Sequence, residues 1–177
     1  MTATETVIEL AKECGFDAAV KLDPKTIVLH DEVREMCAEG KCKAYGHNWT
    51  CPPACGDLPY CRSVIAGYSE GAIVQTIGQL EDSMDYESMM DTAARHKENF
   101  LRLTALVKSA YPKALCLGAG GCTVCEKCNF PDPCRFPEKA VSSMEGYGML
   151  VSEVCTLNDV PYYYGENTIA FVGCCLV

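Results

Sequence analysis

The 177-residue sequence contains no apolar run long enough to cross a membrane. Its first stretch, MTATETVIELAKECGF, has neither a basic start nor a continuous apolar segment of the kind an export signal needs. A cytoplasmic location is the expectation, with no membrane partner. Basic residues are scarce, 15 Lys and Arg against 24 Asp and Glu, for a formal net charge of −9. That balance argues against a nucleic-acid partner, because phosphate binding needs a basic surface. It suits docking on basic protein partners. No nucleotide or flavin fingerprint, internal repeat, low-complexity tract or dividing linker is present. The expectation is one domain over residues 1–177.

Cysteine is what the chain has in excess, 14 in all. A chain of this length buries a sizeable core without staples. In a reducing cytosol, clustered thiols read as metal ligands or catalysts before they read as disulfides. The most regular group is Cys122, Cys125, Cys128 and Cys134 in GCTVCEKCNFPDPCRFP, with spacing C-x-x-C-x-x-C-x5-C. Each two-residue gap turns the backbone so that successive thiolates converge on one inorganic core, and a distal cysteine beside proline closes it. The pattern is close to the bacterial ferredoxin run, with a longer last gap. A tetrahedral zinc site more often takes two separated cysteine pairs, so zinc is the weaker alternative. Gly118, Gly120 and Gly121 precede Cys122 and let backbone amides approach a cluster. A phosphate cradle at the same glycines needs a helix start behind it, where a cysteine run stands instead. Arg135, beside Cys134, is a candidate to pair with cluster charge or with an acidic partner, and equally with a structural carboxylate.

Periodicity places the elements around this run. Val7, Leu10, Ala11 and Cys14 form the apolar stripe of a helix that Gly15 stops. Ala18 to Leu22 and Thr26 to Leu29 read as two short strands joined through Asp23-Pro24. Asp31 is expected to cap a short helix ending at Gly40, with Cys37 in its last turn. A loop follows from Lys41 to Gly56, and Asp57 caps a helix through Tyr68. Gly71 to Gly78 reads as a buried strand. A long helix from Asp85 to Tyr111 opens its apolar face with Tyr86, Met89, Met90, Ala93 and Ala94, continues it with Phe100, Leu103, Val107 and Ala110, and ends at Pro112. Ala114 to Leu117 is a strand, Leu150, Val151, Val154 and Cys155 mark a helix, and Thr168 to Val177 is the last strand. The expected class is α/β, a small sheet flanked by helices, with two cysteine-rich cluster-binding loops at element ends.

The second loop carries Cys37, Cys42, Cys51, Cys55 and Cys61 at irregular gaps. Cys51-Pro52-Pro53 repeats the cysteine–proline juxtaposition. Trp49, the one tryptophan, is placed either to shield a cluster from water or to pack as a core aromatic. The fourth ligand of this group is open between Cys55, Cys61, His47, a cysteine such as Cys134 exchanged from the other run, and an iron held by three cysteines alone. Cys61 also lies on an apolar helix stripe. Cys116, Cys155, Cys174 and Cys175 read as core thiols. Cys174 and Cys175, adjacent in a strand, point to opposite faces.

The order C…C-x-x-Y-G-x-x-W-x-C-P-P over Cys37 to Pro53, the run from Gly120 to Pro137, SMEGYG at Ser143 to Gly148, and NTIAFVG at 167–173 together resemble a family of uncharacterised cysteine-rich predicted metal-binding proteins. The resemblance covers nearly the whole chain. It implies iron–sulfur clusters, an anaerobic setting, and ligands at Cys37, Cys42, Cys51, Cys122, Cys125, Cys128 and Cys134. The residues lead to an electron carrier with two [4Fe-4S] clusters serving redox partner proteins. One alternative is an enzyme with an open-site cluster acting as Lewis acid, for instance in sulfur abstraction, with Glu145 and Tyr147 as weak catalytic candidates. The other is a zinc-stabilised interaction module. The radical S-adenosylmethionine spacing C-x3-C-x2-C is absent, since Leu58 stands where a third cysteine would follow Cys51 and Cys55.

Overall fold

Four antiparallel strands in the order β1-β2-β4-β3 divide the molecule into two helical layers. The computed structural model describes residues 1–39 and 42–177. Helix α1 spans Ala3–Glu13, and its start is set by a capping box. The Thr2 hydroxyl accepts from the Glu5 N–H, and the Glu5 carboxylate accepts from the Thr2 N–H. The remaining elements are β1 (Ala18–Lys21), α2 (Asp31–Ala38), α3 (Leu58–Ile65), β2 (Gly71–Gln79), α4 (Tyr86–Ala110), β3 (Leu115–Leu117), α5 (Val151–Leu157) and β4 (Thr168–Leu176).

The period-two alternation of the strands builds both layers. Ala72, Val74 and Cys175 join Val7, Ala11, Phe100, Leu103 and Val107 under α1 and α4. Ile73, Val172, Cys174 and Leu176 join Leu58, Cys61, Ile65, Val151, Val154 and Cys155 on the face covered by α3 and α5. Each large apolar side chain so buried contributes about 1.5–3 kcal/mol. The α/β class holds, and Cys174 and Cys175 do face opposite layers. Gln75, fully buried in β2, is satisfied by donating to the Pro161 carbonyl and accepting from the Tyr164 hydroxyl.

Several expectations are corrected. Thr26 to Leu29 is not a strand. Asp23 accepts from the Lys25 N–H and Pro24 opens a short 3₁₀ turn over Pro24–Thr26, so only Leu29 makes an isolated bridge, to Met149. Asp31 is the first helical residue and not the cap of α2, a position that His30 fills without a side-chain bond. The expected helix end at Gly40 and loop start at Lys41 lie outside the described residues. Helix α3 stops at Ile65 and not at Tyr68. Helix α4 does not bury its first turns. Tyr86 is 70% exposed and Met90 49%, because this end has no sheet beneath it. Burial starts with Thr92, His96, Asn99 and Phe100.

Candidate metal centre

The loop between β3 and α5 is pinched at its base. The Gly118 N–H donates to the Ser142 carbonyl, and the Met144 N–H returns to the Gly118 carbonyl at 3.0 Å. Gly120 takes a left-handed φ of +69° at the turn into the cysteine run, a conformation that disfavours any side chain. Side-chain bonds then fix the run. The Cys122 N–H donates to the Thr50 hydroxyl at 3.3 Å, Asn129 donates to the Pro133 carbonyl, and Arg135 donates to the Lys127 carbonyl and the Asn129 side-chain oxygen. Arg135 is therefore a brace of the loop, with no carboxylate partner among the described residues.

Cys122, Cys125, Cys128 and Cys134 all line one small pocket, partly open to solvent. Asn48, Trp49 and Thr50 from the other cysteine-rich loop complete its wall, with Phe136 and Ala140. Trp49 donates its indole N–H to the Asp132 carbonyl at 2.8 Å and meets Phe130 edge-on at 4.9 Å. The indole thus belongs to the wall of the Cys122–Cys134 pocket, at 36% exposure, rather than to the core.

The first group divides in two. Cys37 sits in the last turn of α2, Cys42 is exposed in the turn that follows, and Cys51 is buried. Burial pushes the Cys51 thiol up in pKa, and neighbouring Cys42, Cys37 and Cys122 push it the same way. Cys37 is raised by burial and by Cys42. Cys51 also lies against Gly121, where a built Cβ would meet its sulfur at 3.5 Å. Cys37, Cys42 and Cys51 are therefore neighbours of one another and of Cys122. Cys55 and Cys61 turn away from this set. Cys55 donates its thiol to the Gly146 carbonyl at 3.5 Å, and burial pushes it up to about 11. Cys61 has no exposed surface and packs in the core beneath α3. His47 is solvent-exposed.

Arg34, which the sequence reading passed over, faces this inner pair. Its guanidinium donates to the Gly146 carbonyl at 2.9 Å and the Gly56 carbonyl at 2.7 Å, and approaches the Cys61 sulfur at 3.9 Å. Its charge opposes the burial-driven rise at Cys37, Cys55 and Cys61. The signal was available: Arg34 stands three residues before Cys37, on the same helical face. Thr50 and Asn48 were missed as well. The Asn48 side chain accepts from both the N–H and the hydroxyl of Thr50, which holds that hydroxyl toward Cys122.

Glu145 opens a 3₁₀ turn over Glu145–Tyr147. One of its carboxylate oxygens is buried with no hydrogen-bond partner among the described residues, and burial raises its pKa. Tyr147 is a core residue whose hydroxyl is raised by burial. Among the described residues, no three thiol, imidazole or carboxylate groups stand at a point where one ion could be held. Soft thiolate donors in a partly apolar, water-poor pocket, with an orphaned buried carboxylate nearby, fit a thiophilic metal group.

Such a constellation defines a cysteine-rich metal-binding class of protein. The family described as "Predicted metal-binding protein (DUF2284)" matches residues 20–177, and the chain belongs to it. No curated protein and no solved structure matches the chain. Among the described residues, no helix is long and apolar enough to cross a membrane.

Proposed function

We propose that the protein is an iron–sulfur electron carrier, with one [4Fe-4S] cluster held by the Cys122–Cys134 loop and a second held at Cys37, Cys42 and Cys51, serving redox partner proteins in an anaerobic cytoplasm. The observation that carries this reading is the single pocket lined by Cys122, Cys125, Cys128 and Cys134 and walled by Trp49 from the facing loop. When bound, such a cluster takes up and releases single electrons.

The chain's own residues hold and tune it. Four thiols, once deprotonated, supply the ligands, and binding releases their protons. Trp49, Phe136 and Ala140 exclude water from one side, and burial of this kind shifts a reduction potential. The C-x-x-C-x-x-C spacing favours a polynuclear core over one zinc ion, whose site more often takes two separated cysteine pairs. Beside Cys134 an open groove is lined by Trp49, Pro131, Pro133, Pro137 and Ala140, which gives a partner close approach to the pocket. The net charge of −9 suits a basic partner.

The test is iron and sulfide content after anaerobic purification, with optical and EPR spectra before and after dithionite. About eight irons and eight sulfides per chain, bleaching on reduction, is the expected result. About four irons would confine cluster chemistry to one loop. Zinc without sulfide would overturn the reading in favour of a structural module.

A further inference from the structure

Two [4Fe-4S] cores call for about eight ligands. The facing loops bring together seven thiols, namely Cys37, Cys42 and Cys51 on one side and Cys122, Cys125, Cys128 and Cys134 on the other. The cysteines that might complete the set are engaged elsewhere. The Cys55 thiol is donated to the Gly146 carbonyl, and Cys61 is fully buried between that loop and the core. Cys14, Cys116, Cys155, Cys174 and Cys175 lie in the two core layers.

The same neighbourhood holds a donor with nothing to bind. The Glu145–Tyr147 turn packs against α2, which carries Cys37. Its Gly146 carbonyl accepts from Arg34 and from Cys55. On the other side, a Cβ at Gly146 would stand 3.6 Å from the Thr50 carbonyl and 3.9 Å from Pro52. The turn that carries Glu145 is thereby enclosed between the helix of Cys37 and the loop of Cys51. One of its carboxylate oxygens is buried without a partner. Glu145 is near enough to Cys37 to act on its thiol electrostatically. The Ser143 hydroxyl beside the carboxyl group opposes the effect of burial but leaves that oxygen unpaired. A buried, unpaired carboxylate oxygen is costly, and a cation is the partner that offsets the cost.

We infer that Glu145 supplies the non-cysteine ligand of the centre formed by Cys37, Cys42 and Cys51, an oxygen donor to the one iron that no thiolate reaches. The inference rests on the two-cluster reading above. The bond forms from the carboxylate, one oxygen donating an electron pair to iron. Non-cysteine ligation of one iron is chemically ordinary, as where histidines replace cysteines on an iron and shift its potential.

The test uses the full chain, purified anaerobically as wild type and as Glu145→Gln, which keeps the side-chain shape but is a poor metal donor. Iron and sulfide content, Mössbauer and EPR spectra, and the rate of iron loss to a chelator are read together, with circular dichroism as the check on folding. The wild type is expected to show one iron with a non-thiolate signature. In the variant that signature shifts while the other centre is unchanged. Losing a mere outer-shell partner of a metal ligand already costs about 10–100-fold in affinity, so iron loss from one centre should quicken at least about tenfold. A variant with wild-type spectra and chelation rate overturns the inference. Should the variant fail to fold, the wild-type Mössbauer spectrum decides alone, since thiolate ligation at every iron overturns it. Absence of iron and sulfide from the wild type would instead overturn the two-cluster reading itself, and the inference with it.

Discussion

His96 offers the sharpest quantitative prediction, and it lies away from the metal centre. The side chain is 1% exposed, on the face of α4 that packs on β2. Its Nδ1 pairs with the Thr76 hydroxyl at 2.9 Å, while Nε2 has no partner among the described residues. Phe16 meets it edge-on, Phe100 stacks on it and Phe171 tilts against it. An imidazolium in that box would be desolvated. Burial, aided by the charges of Lys97 and Arg95, lowers the pKa from 6.5 to about 4. The unfolded chain therefore takes up a proton near pH 6.5 that the folded chain refuses until about pH 4. Between those limits the unfolded state binds more protons, so stability rises with pH. The contribution is fully present above pH 6.5, falls as the solution is acidified, and levels off below about pH 4. The whole span is worth about 3 kcal/mol, of which about 2 kcal/mol is lost between pH 7 and pH 5. Urea unfolding of the wild type and of His96→Gln at pH 7 and pH 5 isolates this share, because acid effects on carboxylates and on bound metal are common to both proteins. The wild type should lose about 2 kcal/mol more than the variant over that interval. Equal losses, or an imidazole titrating near pH 6.5 by NMR, would refute the argument.

Two further predictions concern packing and the site wall. Gly173 in β4 lies under Phe100, and a Cβ there would come within 2.5 Å of the Phe100 ring and 3.1 Å of the Leu117 carbonyl. Gly173→Ala should destabilise by about 1–3 kcal/mol in denaturant unfolding, and Phe100→Leu should recover part of the loss, so additive effects would sink the steric explanation. Trp49→Phe removes the indole N–H bond to the Asp132 carbonyl while keeping an aromatic edge against Phe130. At about 1 kcal/mol for that bond, hydrogen exchange or proteolysis within 129–134 should quicken about fivefold, and an unchanged rate would mean the indole does not tether the loop.

Much of this was legible in the sequence because local chemistry and tertiary demand agree there. The apolar stripe of α1, the Asp57 cap of α3, the strands β2 and β4, and the placement of Cys174 and Cys175 on opposite faces follow from period and side-chain type alone. Helix α4 shows where that reading ends. Tyr86, Met89 and Met90 have the right spacing for a buried stripe, but burial is granted by the sheet, whose far edge is reached only at Thr92. Polar Thr92, His96 and Asn99 are buried in their place. Asn99 earns its position by donating to the Gly15 carbonyl at 3.1 Å, a partner 84 residues away that no local window contains. The regular run Cys122–Cys134 was similarly plain, since its thiols are local in sequence. The set of Cys37, Cys42 and Cys51 was not, because it is gathered by the packing of α2 against its neighbours, and because Glu145 enters from a separate segment.

The division of the 14 cysteines follows the same logic. Spacing cannot separate a ligand from a core thiol, since both kinds occur throughout the chain; surroundings can. Cys155 lies under α5 with burial pushing it up to about 11, and Cys174 is raised further by the same cause. Cys116 and Cys175 face each other across β3 and β4. A thiol kept protonated in an apolar layer is a poor nucleophile and a poor ligand, and it fills space as a small hydrophobe. The thiols of the two facing loops instead lie at or near the surface or beside hydrogen-bonded loop backbone, with the Cys122 N–H on the Thr50 hydroxyl and the Trp49 indole on the Asp132 carbonyl. Such surroundings tolerate the thiolate that metal binding requires better than the apolar layers do.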